Sequence, residues 1–173
     1  MGNEIYNKKM KKELELKRDA YKLQPLLLDI GIEQVSKNKV QNLKTNDDIN
    51  FSKSFIMFSQ KQIYKTYSVV GLMKCFNHNT KYFVLDLSLL LDVWFNSSIL
   101  INKSNLLNCD VLIIHGHAES YQAEHKSIAL KELFSIRKTM NKITWLYIEG
   151  TNKQEFNTLY PEVVSSIGNC YNS

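Results

Sequence analysis

The sequence lacks an apolar run long enough to cross a membrane, since no window approaches the roughly 18 consecutive apolar residues of a transmembrane helix. Residues 1–18 are polar and rich in lysine, and no apolar segment typical of a secretory signal follows them. We therefore expect a soluble protein of the cytoplasm that has no membrane partner.

Cysteine is also scarce. Three cysteines that lie far apart in the chain provide neither a disulfide framework nor a Cys-x-x-Cys metal site, which fits a reducing compartment. They are Cys75, Cys109 and Cys170. The histidines His115, His117 and His125 stand closer together, but no cysteine or carboxylate at ligand spacing completes a set around them. We expect no metal site.

Basic residues exceed acidic ones, which gives a formal net charge of +5 and a pI near 9.0. This excess permits contact with nucleic acid through attraction to phosphate. The chain is also rich in Lys, Asn, Ile and Tyr, as expected when the coding DNA is AT-rich. Genome composition is therefore an alternative explanation of the basic charge.

The chain has an N-terminal region whose composition differs from the rest. Residues 3–23 are highly charged and contain good helix formers with few apolar anchors, which predicts an exposed helix or arm. A polar connector is expected over residues 36–50. We therefore divide the chain into a helical arm with its connector, residues 1–50, and a globular core, residues 51–173.

The core alternates short apolar runs with helical patterns, which is typical of an α/β fold with a buried parallel sheet of about five strands and helices on both faces. Strands are predicted over residues 54–58, 82–87, 111–114 and 143–148, with a further short segment near 163–167. Helices are predicted near residues 65–76, 89–96, 123–140 and 154–159. We expect the first and third strands to be central, with adjoining carboxyl ends.

The junction between the first strand and the helix after it has the frame of a Walker A loop, G-x-x-x-x-G-K-[ST]. Lys65 and Thr66 occupy the last two positions, but Ser59 and Tyr64 replace both glycines. In an intact loop the glycines let backbone N–H groups surround the phosphates. A tyrosine would crowd that space, so Lys65 and Thr66 are either a vestigial nucleotide site or ordinary first-turn helix residues.

The third strand ends where a Walker B strand would carry two acids, one to support Mg²⁺ and one to activate water. His115 and Gly116 stand at these positions, and neither supplies an anionic oxygen. Catalytic residues are therefore not expected. The two histidines, His115 and His117, are predicted to line a pocket.

The order of these features resembles the AAA+ helicase loaders of the DnaC/DnaI type from residue 26 to residue 167. Residues 27–32 and 40–43 are similar to the family's lead-in before the P-loop, and residues 111–119 stand where it has "LLIIDDLG-x-E". The resemblance implies a P-loop, RecA-like domain with three αβα layers.

The resemblance continues towards the carboxyl terminus, but residues that the family uses are missing. Arg137 matches an arginine in the family's "l-x-x-i-x-x-R" helix, and we expect it at an interface or on the surface. The sensor-1 asparagine falls near Glu149 or Gly150, and the arginine finger falls on Ser166. The chain stops at Ser173, before the family's helical lid, so we expect no lid.

These losses suggest a pseudo-ATPase that acts in DNA replication by binding a replicative helicase or an active loader, with single-stranded DNA as a second candidate ligand. No cofactor is expected, except for weak binding of ATP. The first alternative is a weak ATPase that uses Lys65 and Thr66, with Asp86, Asp110 or Glu119 supplying the acid. The second is a P-loop-derived structural subunit of a larger assembly.

Overall fold

The computed structural model describes residues 2–32, 37–96 and 102–173. Residue 36, where the predicted connector begins, lies outside these ranges. The chain forms two compact units, one made of residues 1–48 and 65–80 and the other of residues 49–64 and 81–173.

The helices of the described chain are α1 (Gly2–Lys22), α2 (Gln24–Asp29), α3 (Lys37–Gln41), α4 (Tyr64–Cys75), α5 (Leu90–Asn96), α6 (Lys103–Asn108), α7 (Ala123–Thr139), α8 (Lys153–Leu159) and α9 (Val163–Ile167). A 3-10 turn, Leu87–Leu89, precedes α5. The strands are β1 (Phe55–Ser59), β2 (Tyr82–Asp86), β3 (Val111–His117), β4 (Ile143–Glu149) and β5 (Cys170–Asn172).

All five strands are parallel and lie in the order β2-β3-β4-β1-β5, which confirms the prediction of an α/β fold with a five-stranded parallel sheet. The arrangement is consistent with three αβα layers. The expected adjacency of the first and third strands is wrong, because β4 lies between them. Ser59 of β1 and His117 of β3 are both in register with Glu149 of β4, so the three strands end at the same level.

The fifth strand is not the segment predicted near residues 163–167. Val163–Ile167 is the helix α9, whose Val163 and Val164 are buried in the core. The helix ends at Gly168, which adopts a φ of +82 that glycine tolerates best. Packing overrides the β propensity of the valines, and the following Cys170–Asn172 pairs with β1 instead.

Buried side chains cover both faces of the central strands, and every residue of β1 is buried. One face joins the helices α5, α7, α8 and α9 in a continuous hydrophobic core. On the other face, the Phe55 and Trp145 rings stack at 5.7 Å, with Tyr147 and Tyr171 edge-on to Phe55. Continuous burial of this kind is typical of parallel strands.

Arg137 is fully buried at the amino-terminal edge of the sheet, so its expected place at an interface or on the surface is wrong. Its Nε donates to Thr144 Oγ1 at 2.8 Å, and its Nη1 and Nη2 donate to the carbonyls of Leu106 at 2.6 Å and Ile143 at 2.6 Å. Nη1 also donates to the Cys109 carbonyl at 3.0 Å. The guanidinium therefore joins the end of α6 to the beginnings of β3 and β4.

The other compact unit contains α1, α2, α3 and most of α4. Ala20, Leu23 and Leu27 are buried in it, and the Nζ of Lys22 donates to the carbonyls of His78 and Thr80. The arm is thus a helix, as predicted, with a buried side near its carboxyl end. Within the described ranges, no helix has the length and apolar character that spanning a membrane would require.

Candidate functional site at the carboxyl ends of the strands

A cleft of about 310 Å³ lies where β2, β3 and β4 end. In open α/β sheets, ligands bind at the carboxyl ends of the strands. Nine residues line the cleft: Gln62, Asp86, Ser88, His115, Gly116, His117, Glu119, Lys126 and Glu149. The prediction that His115 and His117 line a pocket is confirmed.

The loop after β1 begins at Ser59, the first predicted glycine position. Ser59 is buried, its Oγ accepts bonds from the Lys61 amide at 3.1 Å and the Ser173 hydroxyl at 2.8 Å, and its carbonyl accepts from the Gly150 amide at 2.8 Å. Among the described non-glycine residues, only Gln122, Asn141 and Glu162 have positive φ. Neither Ser59 nor Tyr64 therefore adopts the left-handed backbone that would need glycine.

Tyr64, at the second predicted glycine position, lies flat against His115, at the first predicted Walker B position. The ring centroids are 3.7 Å apart and the planes differ by 6°. Tyr147 is tilted against Tyr64 at 6.4 Å, and Tyr64 is buried. Two of the four positions that depart from the P-loop pattern are therefore in direct contact, one at the first residue of α4 and one near the end of β3.

Gly116, at the second predicted Walker B position, has no room for a side chain. A Cβ placed there would lie 3.0 Å from Leu87 Cβ and 3.4 Å from the Leu87 amide nitrogen, and its φ of +150 already disfavours other residues. An acid at position 116 would require Leu87 to shift.

Lys65, in the first turn of α4, forms an ion pair with Asp29 at 3.0 Å, and its side chain is 19% exposed. Thr66 follows it and is half-buried. The proposed nucleotide-binding role of these two residues stays a prediction. Lys65 would have to leave Asp29 to bind a phosphate.

Charged side chains at the rim of the cleft are linked to one another. His117 Nε2 lies 3.4 Å from Glu149 Oε2, and Glu149 Oε1 is buried without a hydrogen-bond partner among the described residues. The side chain of Lys126 is only 5% exposed, and its Nζ lies 3.9 Å from Glu119 Oε2. A buried ammonium at this distance from a carboxylate has a weak partner.

Asp86, at the end of β2, is ionised at neutral pH. Burial raises the pKa of Asp86. Hydrogen bonds from Ser88 and the nearby His115 and His117 lower this pKa by more than burial raises it, so the net pKa lies below the ordinary value. One of these bonds runs from the Ser88 amide to Asp86 Oδ1 at 2.8 Å.

The cleft is therefore acidic. Three carboxylates, Asp86, Glu119 and Glu149, face one lysine, Lys126, which gives a net charge of −2 when the histidines are neutral. Polyphosphate would be repelled by this charge. Within the described residues, no group of three His, Cys, Asp or Glu side chains has an arrangement that could hold a metal ion.

The structure separates the candidate acids of the weak-ATPase alternative, Asp86, Asp110 or Glu119. Asp86 and Glu119 line the cleft, but Asp110 precedes β3 and pairs with Lys142 at 2.7 Å at the opposite edge of the sheet. Asp110 is therefore outside the carboxyl-edge cleft.

Sequence reasoning missed Lys126 and the pairing of His117 with Glu149. Lys126 lies on the side of α7 that also carries the buried Ala129 and Leu130. Its spacing of three and four residues from these apolar positions could have indicated that it is buried. Comparison of the sequence with protein-family models and with curated proteins finds no match.

Proposed function

We propose that the protein is a non-catalytic relative of the P-loop helicase loaders, which acts in DNA replication by binding a replicative helicase or an active loader. The observation that carries this proposal is the stack of Tyr64 on His115. It joins a residue of the proposed Walker A frame to a residue of the proposed Walker B frame, and a bulky ring at the former would crowd the backbone amides that cradle phosphates in an intact P-loop.

Several independent features argue against hydrolysis. The two Walker B positions are a stacked imidazole and a glycine without space for a side chain, so the acids that support Mg²⁺ and activate water are missing. The net charge of −2 around the cleft disfavours a triphosphate. Ser166, where the arginine finger was expected, donates its hydroxyl to the Val163 carbonyl at 2.7 Å.

The strand order differs from that of two other common doubly wound folds. In the Rossmann and flavodoxin-like orders, the first strand lies beside the second. Here β1 lies between β4 and β5, with β4 separating it from β3.

The arm offers a surface for a protein partner. Apolar side chains of α1 are exposed at helical spacing, with Tyr6 at 64%, Met10 at 47%, Leu14 at 57% and Tyr21 at 74%. Lysines flank them, so a partner helix or groove could bury the apolar stripe while charge guides the encounter.

Nucleotide binding is tested by thermal unfolding with ATP and Mg²⁺. We expect no shift in midpoint for the native protein, because a ligand stabilises only a state that it binds. Lys65→Ala and its control Lys61→Ala, in the loop before α4, should respond alike. An ATP-dependent rise in midpoint that Lys65→Ala abolishes and Lys61→Ala retains would establish the nucleotide-binding alternative.

The Tyr64→Ala variant tests the stack itself. Removing a buried aromatic ring should cost about 3 kcal/mol of unfolding free energy, whereas His115→Phe keeps a stacked pair and should cost less. ATP should still fail to bind Tyr64→Ala, since the acids remain absent. Gain of ATP binding on this change alone would mean that the ring, and not the lost acids, prevents binding.

Partner binding is tested with the purified replicative helicase and loader of the host. Leu14→Glu, on the exposed stripe of α1, should weaken binding at least about tenfold, whereas Lys12→Glu should act only through charge and lose its effect at high salt. Equal affinity of Leu14→Glu and native protein excludes the arm. Absence of binding to both host proteins rejects the replication proposal.

A further inference from the structure

The amino-terminal edge of the sheet carries a second cleft, of about 330 Å³. Its polar and charged lining consists of Ser52, Lys53, Ser54, Lys138, Asn141, Lys142, Ser166 and Asn169. Three lysines and no carboxylate line this cleft, so every charged group on its surface is a cation.

Two of the three lysines are available to a ligand. Lys53 and Lys138 are exposed, and neither side chain forms an ion pair or hydrogen bond with the described residues. Lys142 is 26% exposed and pairs with Asp110, just outside the cleft. Three lysines less this aspartate leave a charge of +2.

The carboxyl end of α7 also points to this edge, and a helix C-terminus carries roughly half a negative charge. Lys138 lies in the last turn of α7 and offsets it. The lysines outweigh the helix, so the cleft stays positive.

Neutral donors complete the cleft. Ser54 Oγ accepts a bond from the Thr144 amide at 2.9 Å, and its hydroxyl hydrogen has no acceptor among the described residues. Asn169 Nδ2 donates one hydrogen to the Ser54 carbonyl at 3.1 Å and keeps a second. Asn141 sits at the mouth with a left-handed backbone, φ +56.

We propose that this cleft binds a phosphate group. Ammonium, hydroxyl and amide donors converge there without an opposing carboxylate on the surface, and phosphate offers both the charge and the several acceptor oxygens that such a set can use. The phosphate comes either from the backbone of a single-stranded nucleic acid or from a free nucleotide. This site is separate from the carboxyl-end cleft and does not depend on the proposed role in replication.

The test uses ¹⁵N-labelled full-length protein, titrated separately with inorganic phosphate, with a nucleoside triphosphate and with a 20-nucleotide oligothymidylate. Amide shifts should concentrate at Ser54, Asn141, Lys142 and Asn169. If inorganic phosphate and the nucleoside triphosphate saturate the shifts at concentrations as low as the oligonucleotide does, the bound phosphate belongs to a free nucleotide. Much tighter binding of the oligonucleotide assigns the nucleic-acid backbone.

A matched pair of variants locates the site. Lys53→Ala with Lys138→Ala removes two charges from the cleft, and Lys8→Ala with Lys9→Ala removes two from the arm. We expect the cleft pair to weaken binding about tenfold and, for the oligonucleotide, to reduce the dependence of log affinity on log salt by about 1.4. The arm pair should change the affinity less than about twofold if the cleft is the site.

All four lysines are exposed, so neither pair should unfold the protein, and the thermal midpoints check this. Ser54→Ala should weaken binding without changing the salt dependence, because it removes a neutral donor. Two results would overturn the proposal: amide shifts that avoid the cleft at saturating phosphate, or an arm pair that loses as much affinity as the cleft pair.

Discussion

The two edges of the parallel sheet differ in charge, although each carries a cleft of similar volume. At the carboxyl edge, three carboxylates surround a cleft of about 310 Å³ beside the stacked Tyr64 and His115. At the amino edge, three lysines and no carboxylate line an open cleft of about 330 Å³. A parallel α/β fold favours the reverse, because helix N-termini at the carboxyl edge attract anions and helix C-termini at the amino edge repel them.

Side-chain charges therefore oppose the backbone field at both edges. A fold analogy alone would place an anionic ligand at the carboxyl edge, where this chain carries a net charge of −2. The comparison shows that side chains, and not the fold alone, set the charge of each edge.

The largest effect is expected from removing the buried cation that holds the amino edge together. Arg137→Met should lower the unfolding free energy by about 3–5 kcal/mol, because it removes the guanidinium bonds to the carbonyls of Leu106, Cys109 and Ile143. Burial lowers the pKa of Arg137. Urea unfolding measures the loss, and Arg18→Met on the exposed face of α1 is the control.

Hydrogen exchange shows whether the damage is confined to one edge. Protection in Arg137→Met should fall first for the amides at the beginnings of β3 and β4, while those beside Gly116 keep theirs longer. A loss of stability no larger than that of Arg18→Met would mean that the Arg137 hydrogen bonds make no net contribution to the free energy of unfolding.

An intermediate effect is expected at the carboxyl edge. Gly116→Ala should cost about 2 kcal/mol, because its methyl group would contact Leu87 at 3.0 Å and its φ is +150. Gly168→Ala is the matched control, since Gly168 also has a positive φ but has no atom within 4 Å of the position that a methyl group would take. The difference between the two variants combines the contact with Leu87 and the different backbone strain at φ +150 and φ +82.

A double-mutant cycle with Leu87→Gly, which removes the Cβ that the new methyl group would contact, provides a second check on this contact. If the clash dominates, the two changes together should cost less than their sum by at least about 0.5 kcal/mol. Strict additivity would assign the whole cost to the backbone conformation.

The smallest effect is expected from one aspartate at each edge as the pH falls. The hydrogen bond from Lys142 and the Lys81 amide hold the pKa of Asp110 below its ordinary value, and the net pKa of Asp86 is also lowered. A lowered folded pKa stabilises the protein above the unfolded value, about 3.9, and this contribution disappears as pH falls through the folded pKa.

Asp86→Asn and Asp110→Asn should therefore each flatten the fall in thermal midpoint below about pH 4. The two variants should differ in phosphate binding. Asp110→Asn should strengthen it by freeing Lys142, and Asp86→Asn should leave it unchanged. An acid profile identical to that of the native protein would show that the carboxylate concerned has no pKa shift that matters for folding.

The apolar runs were sufficient to predict the first four strands within a few residues, because buried parallel strands need continuous apolar sequence. They could not give the strand order, which depends on crossovers far apart in the chain. The segment 163–167 was misassigned because its valines satisfy a helix in the core as well as a strand.

The sequence indicated which residues belong to the candidate site but not the contacts between them. The P-loop frame singled out Tyr64 and His115 separately, but their contact depends on the side chains meeting across the end of the sheet. The lysines of the amino edge come from two distant segments, one with Lys53 and one with Lys138 and Lys142, so no local pattern could indicate their meeting.

The close approach of Gly116 to Leu87 also limits how the sequence can evolve. A single base change converts a glycine codon to one for aspartate, so an acid at position 116 is one mutational step away genetically. The first carrier of that change would lose stability, since its Cβ would lie 3.0 Å from Leu87 Cβ and its φ would be +150. Because the contact is with the Cβ and the backbone nitrogen of Leu87, most substitutions at residue 87 would not remove it. Loss of stability therefore opposes an acid at position 116 before any catalytic advantage can arise.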